Sequence, residues 1–169
     1  MSSRRTPLAV LVGSTALLAL AACEKPAPSV TVFSGTTSAH REAICWSFEA
    51  DQAVEKGDCS IDLETQPADE VASTLLDEIA IIPTTPGETV GISVDPAVAE
   101  NGWLVSINGA LLTRAPVTEK YFRFTMPPRP LRDGDAQLVI QAVTEGGGEI
   151  RGSWIFGLTE AHTSSAEDG

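Results

Sequence analysis

Between residues 30 and 158 the apolar side chains recur at every second position, in short runs broken by Gly, Pro, Asn and Asp. A period of two puts alternate side chains on one face of an extended chain, the signature of strands with one buried face. Such strands are stable only when a second layer covers that face. The runs cover residues 30–33, 43–48, 60–63, 78–82, 89–94, 103–107, 111–113, 120–125, 136–143 and 150–158, and Pro83 is expected to stop the fourth. Asn108-Gly109 is a strong tight-turn signal, Pro86-Gly87 marks a turn, and Glu145-Gly146-Gly147-Gly148 marks a hairpin. Only residues 69–77, where Val71, Leu75 and Leu76 fit a helical spacing, predict a brief helical turn. The expected fold is an all-β antiparallel sandwich.

Residues 1–7 carry Arg4 and Arg5 and no acid, and residues 8–22 are apolar except for Gly13, Ser14 and Thr15. Fifteen helical residues reach roughly 22 Å at 1.5 Å per residue. A hydrocarbon core is about 30 Å thick, so the run predicts a cleavable signal segment. Arg4-Arg5 also permits a twin-arginine signal, but Pro7 stands where such signals carry a bulky apolar residue, which favours a plain basic leader.

Leu20-Ala21-Ala22-Cys23 then resembles the lipobox of bacterial lipoproteins: a branched apolar residue, two small residues and a Cys. The resemblance implies cleavage between Ala22 and Cys23, with diacylglycerol and then palmitate-like acyl chains on Cys23. It implies a protein held by lipid on the extracytoplasmic face of the cell membrane. Cleavage removes two bases and no acid, making the chain more acidic than its formal charge of −12. A polyanion is a poor partner for nucleic acid and is repelled by anionic headgroups, so attachment falls to the lipid.

The expected organisation is a signal peptide over 1–22, a lipidated tether over 23–29 stiffened by Pro26 and Pro28, an N-terminal β segment over 30–77, a sandwich over 78–159 and a disordered tail over 160–169. The stretch 78–159 resembles the immunoglobulin-like fold. Pro86-Gly87-Glu88-Thr89-Val90 is similar to the approach to its second strand. Trp103 with Asn108-Gly109 and Leu111 is similar to its core Trp and following turn, and residues 131–135 to the approach to its sixth strand. The Cys pair and the Tyr of antibody domains are missing. The whole chain, with its lipobox, N-terminal Cys pair and late Trp154, also resembles lipoprotein families of high-GC Gram-positive bacteria catalogued as domains of unknown function.

With Cys23 lipidated, Cys45 and Cys59 remain, and outside the cytoplasm they are expected to form a structural disulfide. A redox pair is the alternative, but the Cys-x-x-Cys spacing is missing. Ten carboxylates and one base, Lys56, fall between Glu49 and Glu78. They read as a solvated acidic face, with a Ca²⁺-binding loop as the alternative; the alternating acidic spacing of such a loop is missing. Asp133-Gly134-Asp135 reads as a turn. His40 is expected in a Ser/Thr-rich loop and His162 in the tail, too few for a transition-metal site. Trp46, Trp103 and Trp154 lie in strand patterns and read as core, with a carbohydrate or peptide groove as the alternative. Neither a Gly-x-Ser-x-Gly elbow nor a phosphate loop occurs. The sequence thus points to a non-enzymatic, cofactor-free domain that binds an envelope protein or glycan. The alternatives are a divalent-cation module and a carboxylate-based hydrolase.

Overall fold

Ten strands and one helical turn form the described part of the chain. The computed structural model describes residues 25–55, 59, 79–127 and 135–161. In order they are β1 (Ser29–Ser34), β2 (Thr37–Glu42), β3 (Cys45–Trp46), β4 (Ala80–Thr84), β5 (Thr89–Val94), α1 (Pro96–Ala99), β6 (Trp103–Ile107), β7 (Ala110–Leu111), β8 (Tyr121–Thr125), β9 (Asp135–Val143) and β10 (Ile150–Glu160). One sheet has the order β2-β1-β5-β8, and the other has the order β3-β10-β9-β6-β7. Neighbours along both paths are antiparallel. The edge of β10 is shared: β3 pairs with its first half antiparallel, and β4 pairs with its second half parallel.

The inward face of each strand supplies a single core. Val30, Val32, Val90 and Ile92 from one sheet meet Ile82, Trp103, Val105, Leu138, Ile140, Trp154, Phe156 and Leu158 from the other. The strand alternation read from the sequence therefore closes a two-layer sandwich. The first-sheet hairpin β1–β2 packs into this same core, since β1 lies directly beside β5. At one end the buried Ser34 hydroxyl donates to the Thr84 hydroxyl at 3.0 Å, linking the two layers. The Asn108-Gly109 turn has φ of 48° and 78°, both in the left-handed region that a two-residue hairpin requires.

Three expectations change. Residues 37–42 form a strand, so His40 lies in β2 and not in a loop; its Nδ1 is 3.0 Å from the Thr31 hydroxyl across the hairpin. The segment is an edge strand whose side chains are polar except for Ala39, leaving little apolar signal. Pro83 does not end its strand. It sits in β4, which among the described residues pairs with β10 alone, and an edge position tolerates the missing N–H. The run expected over 43–48 is shorter, with only Cys45–Trp46 in strand pairing. The expected strand over 60–63, the helical turn over 69–77, Asp133-Gly134 and His162 lie outside the described residues.

Cys45 and Cys59 form a disulfide with their Cα atoms 5.0 Å apart, closing a loop with a sequence separation of 14. Cys45 is buried against β10, so the bond fixes the start of the acidic segment to the sandwich. Reduction is expected to lower stability by roughly 3 kcal/mol through the loop entropy restored to the unfolded chain. Urea melts with and without reductant measure that loss, and a non-reducing peptide map should recover one peptide linked through Cys45 and Cys59.

Candidate functional site

Arg151 occupies a position where a β-strand would ordinarily bury an apolar side chain. On β10, Ile150 pairs with Val143 and Gly152 with Ala142, so the register slips by one residue and Arg151 is the extra residue of a β-bulge. A bulge leaves its extra residue out of the ladder and re-aims its side chain. The guanidinium is turned inward beneath the chain that follows β3, with its side chain only 6% exposed.

Three neighbours hold it there. Nε donates to the Ser47 carbonyl at 3.1 Å, and Nη2 donates to the Phe48 carbonyl at 3.3 Å. The guanidinium carbon lies 4.4 Å from the centre of the Trp46 ring, a cation–π contact. Trp46 takes that place because residue 152 is a glycine: a Cβ there would overlap the indole ring and lie 3.0 Å from the Cys45 carbonyl. Gly152→Ala is therefore expected to push Trp46 off Arg151 and to destabilise by about 1–3 kcal/mol, the usual cost of overpacking. A thermal melt together with Trp fluorescence checks both halves of that expectation.

Around Arg151 opens a cleft of about 360 Å³, within the range of small-ligand sites. One wall is the tether, Lys25 to Pro28; the other is Asp95, Pro96, Ala97 and Glu100, at and beyond the start of α1. The tether is fastened to the sandwich at its last residues. The Pro28 carbonyl accepts from the Trp154 indole N–H at 3.2 Å and from the Ala43 N–H at 3.1 Å. The Asp95 carboxylate accepts from the Ser29 N–H at 2.7 Å and from its hydroxyl at 2.8 Å. These bonds spend one oxygen of Asp95 on Ser29. Glu100 is 63% exposed, and its Oε2 lies 3.7 Å from Arg151 Nη1.

The residues singled out in the sequence fall in different places. Cys45 and Cys59 come together. Trp103 and Trp154 are fully buried core residues, so neither lines a groove. Trp46 alone of the three reaches the cleft, where it is half-buried. Glu49, Asp51 and Glu55 are exposed, and among the described residues no three His, Cys, Asp or Glu side chains gather closely enough to hold a metal ion. Gly146 and Gly147 have φ of 101° and 76° and form the hairpin turn expected of them. Ala22 and Cys23 lie outside the described residues. Sequence reasoning passed over Arg151, Asp95 and Glu100. A signal for the first existed: an Arg between Ile150 and Trp154 is the one charge in the strongly apolar first half of that strand.

No protein-family model, curated protein or solved structure matches this chain. Its own residues carry the functional reading.

Proposed function

We propose that this protein is an extracytoplasmic lipoprotein, anchored through lipid on Cys23, whose sandwich domain binds a ligand or partner of the cell envelope. The observation that carries the anchor is Leu20-Ala21-Ala22-Cys23 at the end of an apolar run preceded by Arg4 and Arg5. The binding role is supported by the cleft beside Arg151, whose walls are an indole, prolines and a buried guanidinium. Those groups suit recognition, an apolar shelf with one directional polar contact. The pairing of strands β4 through β10 supports an immunoglobulin-like arrangement for residues 80–160. In it β5 pairs with β8, β9 pairs with β6 and β10, and β4 runs parallel to the last strand. That fold hosts many unrelated functions, so the cleft and not the fold carries the binding reading.

Mass spectrometry of the protein recovered from membranes tests the anchor. The expected N-terminal peptide begins at Cys23 and carries the mass of a diacylglyceryl group. An N-terminal peptide with an unmodified Cys23 thiol would overturn the reading.

A further inference from the structure

We infer that the cleft beside Arg151 is an oxyanion site that takes a singly charged carboxylate or phosphodiester on Nη1, with the Glu100 carboxylate as the internal occupant that the ligand displaces. This deepens the binding reading above and rests on it. Arg151 has one more donor edge than the fold consumes. Nε and Nη2 are bonded to the Ser47 and Phe48 carbonyls, while Nη1 is buried and has no hydrogen-bond partner among the described residues. A buried donor left without an acceptor is unfavourable, and more so when it carries charge. Its nearest anion, Glu100 Oε2 at 3.7 Å, balances the charge without completing a hydrogen bond.

The two groups are held very differently. Arg151 is fixed by its two carbonyls and by the Trp46 ring, so its free edge is pre-aimed. Glu100 is mostly exposed and loses little when it swings into water. Both line the same cleft, so the departure of Glu100 leaves an oriented N–H edge facing a space of about 360 Å³. An incoming oxyanion can approach to hydrogen-bond distance where Glu100 does not, and charge-assisted bonds to guanidinium are the strong ones. The remaining walls set the ligand's charge and shape. Asp95 keeps a negative charge at the rim although one of its oxygens is spent on Ser29, and Lys25 offers a single further cation. That balance favours a monoanion over a dianion. Pro26, Pro28 and Pro96 offer flat apolar surfaces to whatever the oxyanion is attached to.

The test uses the purified full-length protein, with ¹⁵N spectra that resolve the arginine Nε–H signals. It reads the same whether or not Cys23 carries lipid, so failure of the anchor and failure of the site remain distinguishable. Titration with dimethyl phosphate or with acetate is expected to shift the Arg151 signal along a saturating curve. Glu100→Ala removes the internal competitor and should tighten that curve about tenfold, equivalent to about 1.4 kcal/mol. Arg151→Lys keeps the charge but loses both the fork and the arginine signal, so binding to it is read on the Trp46 indole N–H, which lines the same cleft. The saturating shift that this signal shows in the wild-type protein should be lost while the thermal melt reports that the domain is folded. A preference for dimethyl phosphate points to a headgroup-like phosphodiester, and a preference for acetate points to a carboxylate ligand. Sulfate binding more tightly than both would contradict the charge argument. Should neither probe give a saturable shift in the wild-type and Glu100→Ala proteins, or should Glu100→Ala leave the curves unchanged, the proposal is overturned.

Discussion

Cys23→Ala, carried behind an ordinary cleavable export signal, is expected to abolish fatty-acid labelling of the protein and to move it from the membrane fraction to the soluble fraction. The size of the effect follows from how lipid anchors work. Each buried CH₂ contributes about 0.8 kcal/mol, and stable attachment needs two chains or an equivalent second signal. A diacylglyceryl group supplies both on one thiol, so losing the thiol loses everything. Nothing described elsewhere in the chain substitutes for it. No helix among the described residues is long and apolar enough to cross a membrane, and the acidic surface is repelled by anionic headgroups. The substitution also blocks lipid-dependent cleavage, and an uncut leader would leave its apolar run in place. The comparison is therefore made with residues 1–22 replaced by an ordinary cleavable export signal. Retention of that Cys23→Ala protein on membranes after a high-salt wash would refute lipid as the sole anchor.

Trp154→Ala should destabilise the domain by about 3–5 kcal/mol, a large fraction of the stability of any small domain. The indole is fully buried between the layers, and its ring centre is 5.8 Å from that of Trp46. Truncation leaves a cavity that rigid strands on both sides cannot close. It also withdraws the N–H that holds the Pro28 carbonyl. Trp154→Phe separates the two contributions. It keeps most of the aromatic volume and loses the hydrogen bond, and the Pro28 carbonyl retains its bond from Ala43. Its expected cost is about 1 kcal/mol from the bond alone, with any unfilled indole volume adding to it. Urea unfolding followed by circular dichroism gives both numbers. A Trp154→Ala loss below that of Trp154→Phe would contradict the core placement.

The sandwich was legible because its inward residues are apolar and its turns use residues with special backbone freedom. Thr89–Val94 and Trp103–Ile107 have the bounds that alternation predicts, and Asn108-Gly109 makes the turn its dipeptide implies. β2 was illegible for a physical reason: an edge strand facing water needs no apolar side chains, and Thr37 to Glu42 has only Ala39. The cleft was harder still. Its parts come from positions 25–28, 46, 95–100 and 151, brought together by pairings between β3, β10 and the β1–β5 neighbours. No local spacing encodes such a meeting. The bulge that buries Arg151 depends on the register between β9 and β10, which the Glu145–Gly148 turn sets but does not announce.

The fastening of Pro28 and Ser29 to Trp154 and Asp95 also limits how far the domain can roam. With the proposed lipid on Cys23 in a bilayer, at most the five residues before Pro28 could serve as leash. Five residues at about 3.3–3.6 Å each reach roughly 17 Å. That is about half the thickness of the hydrocarbon core, too little for the domain to turn over. On the proposed anchor the end carrying the cleft would stay close above the headgroups, while the turns at 35–36 and 108–109 would stand at the outward pole. Lipid-borne ligands would meet the cleft at an effective concentration set by the surface and not by the surrounding fluid, and a soluble partner would meet only the outer turns and the sides. Lengthening the tether with a flexible insert before Lys25 would enlarge the search volume while leaving the cleft wall at Lys25 to Pro28 in place.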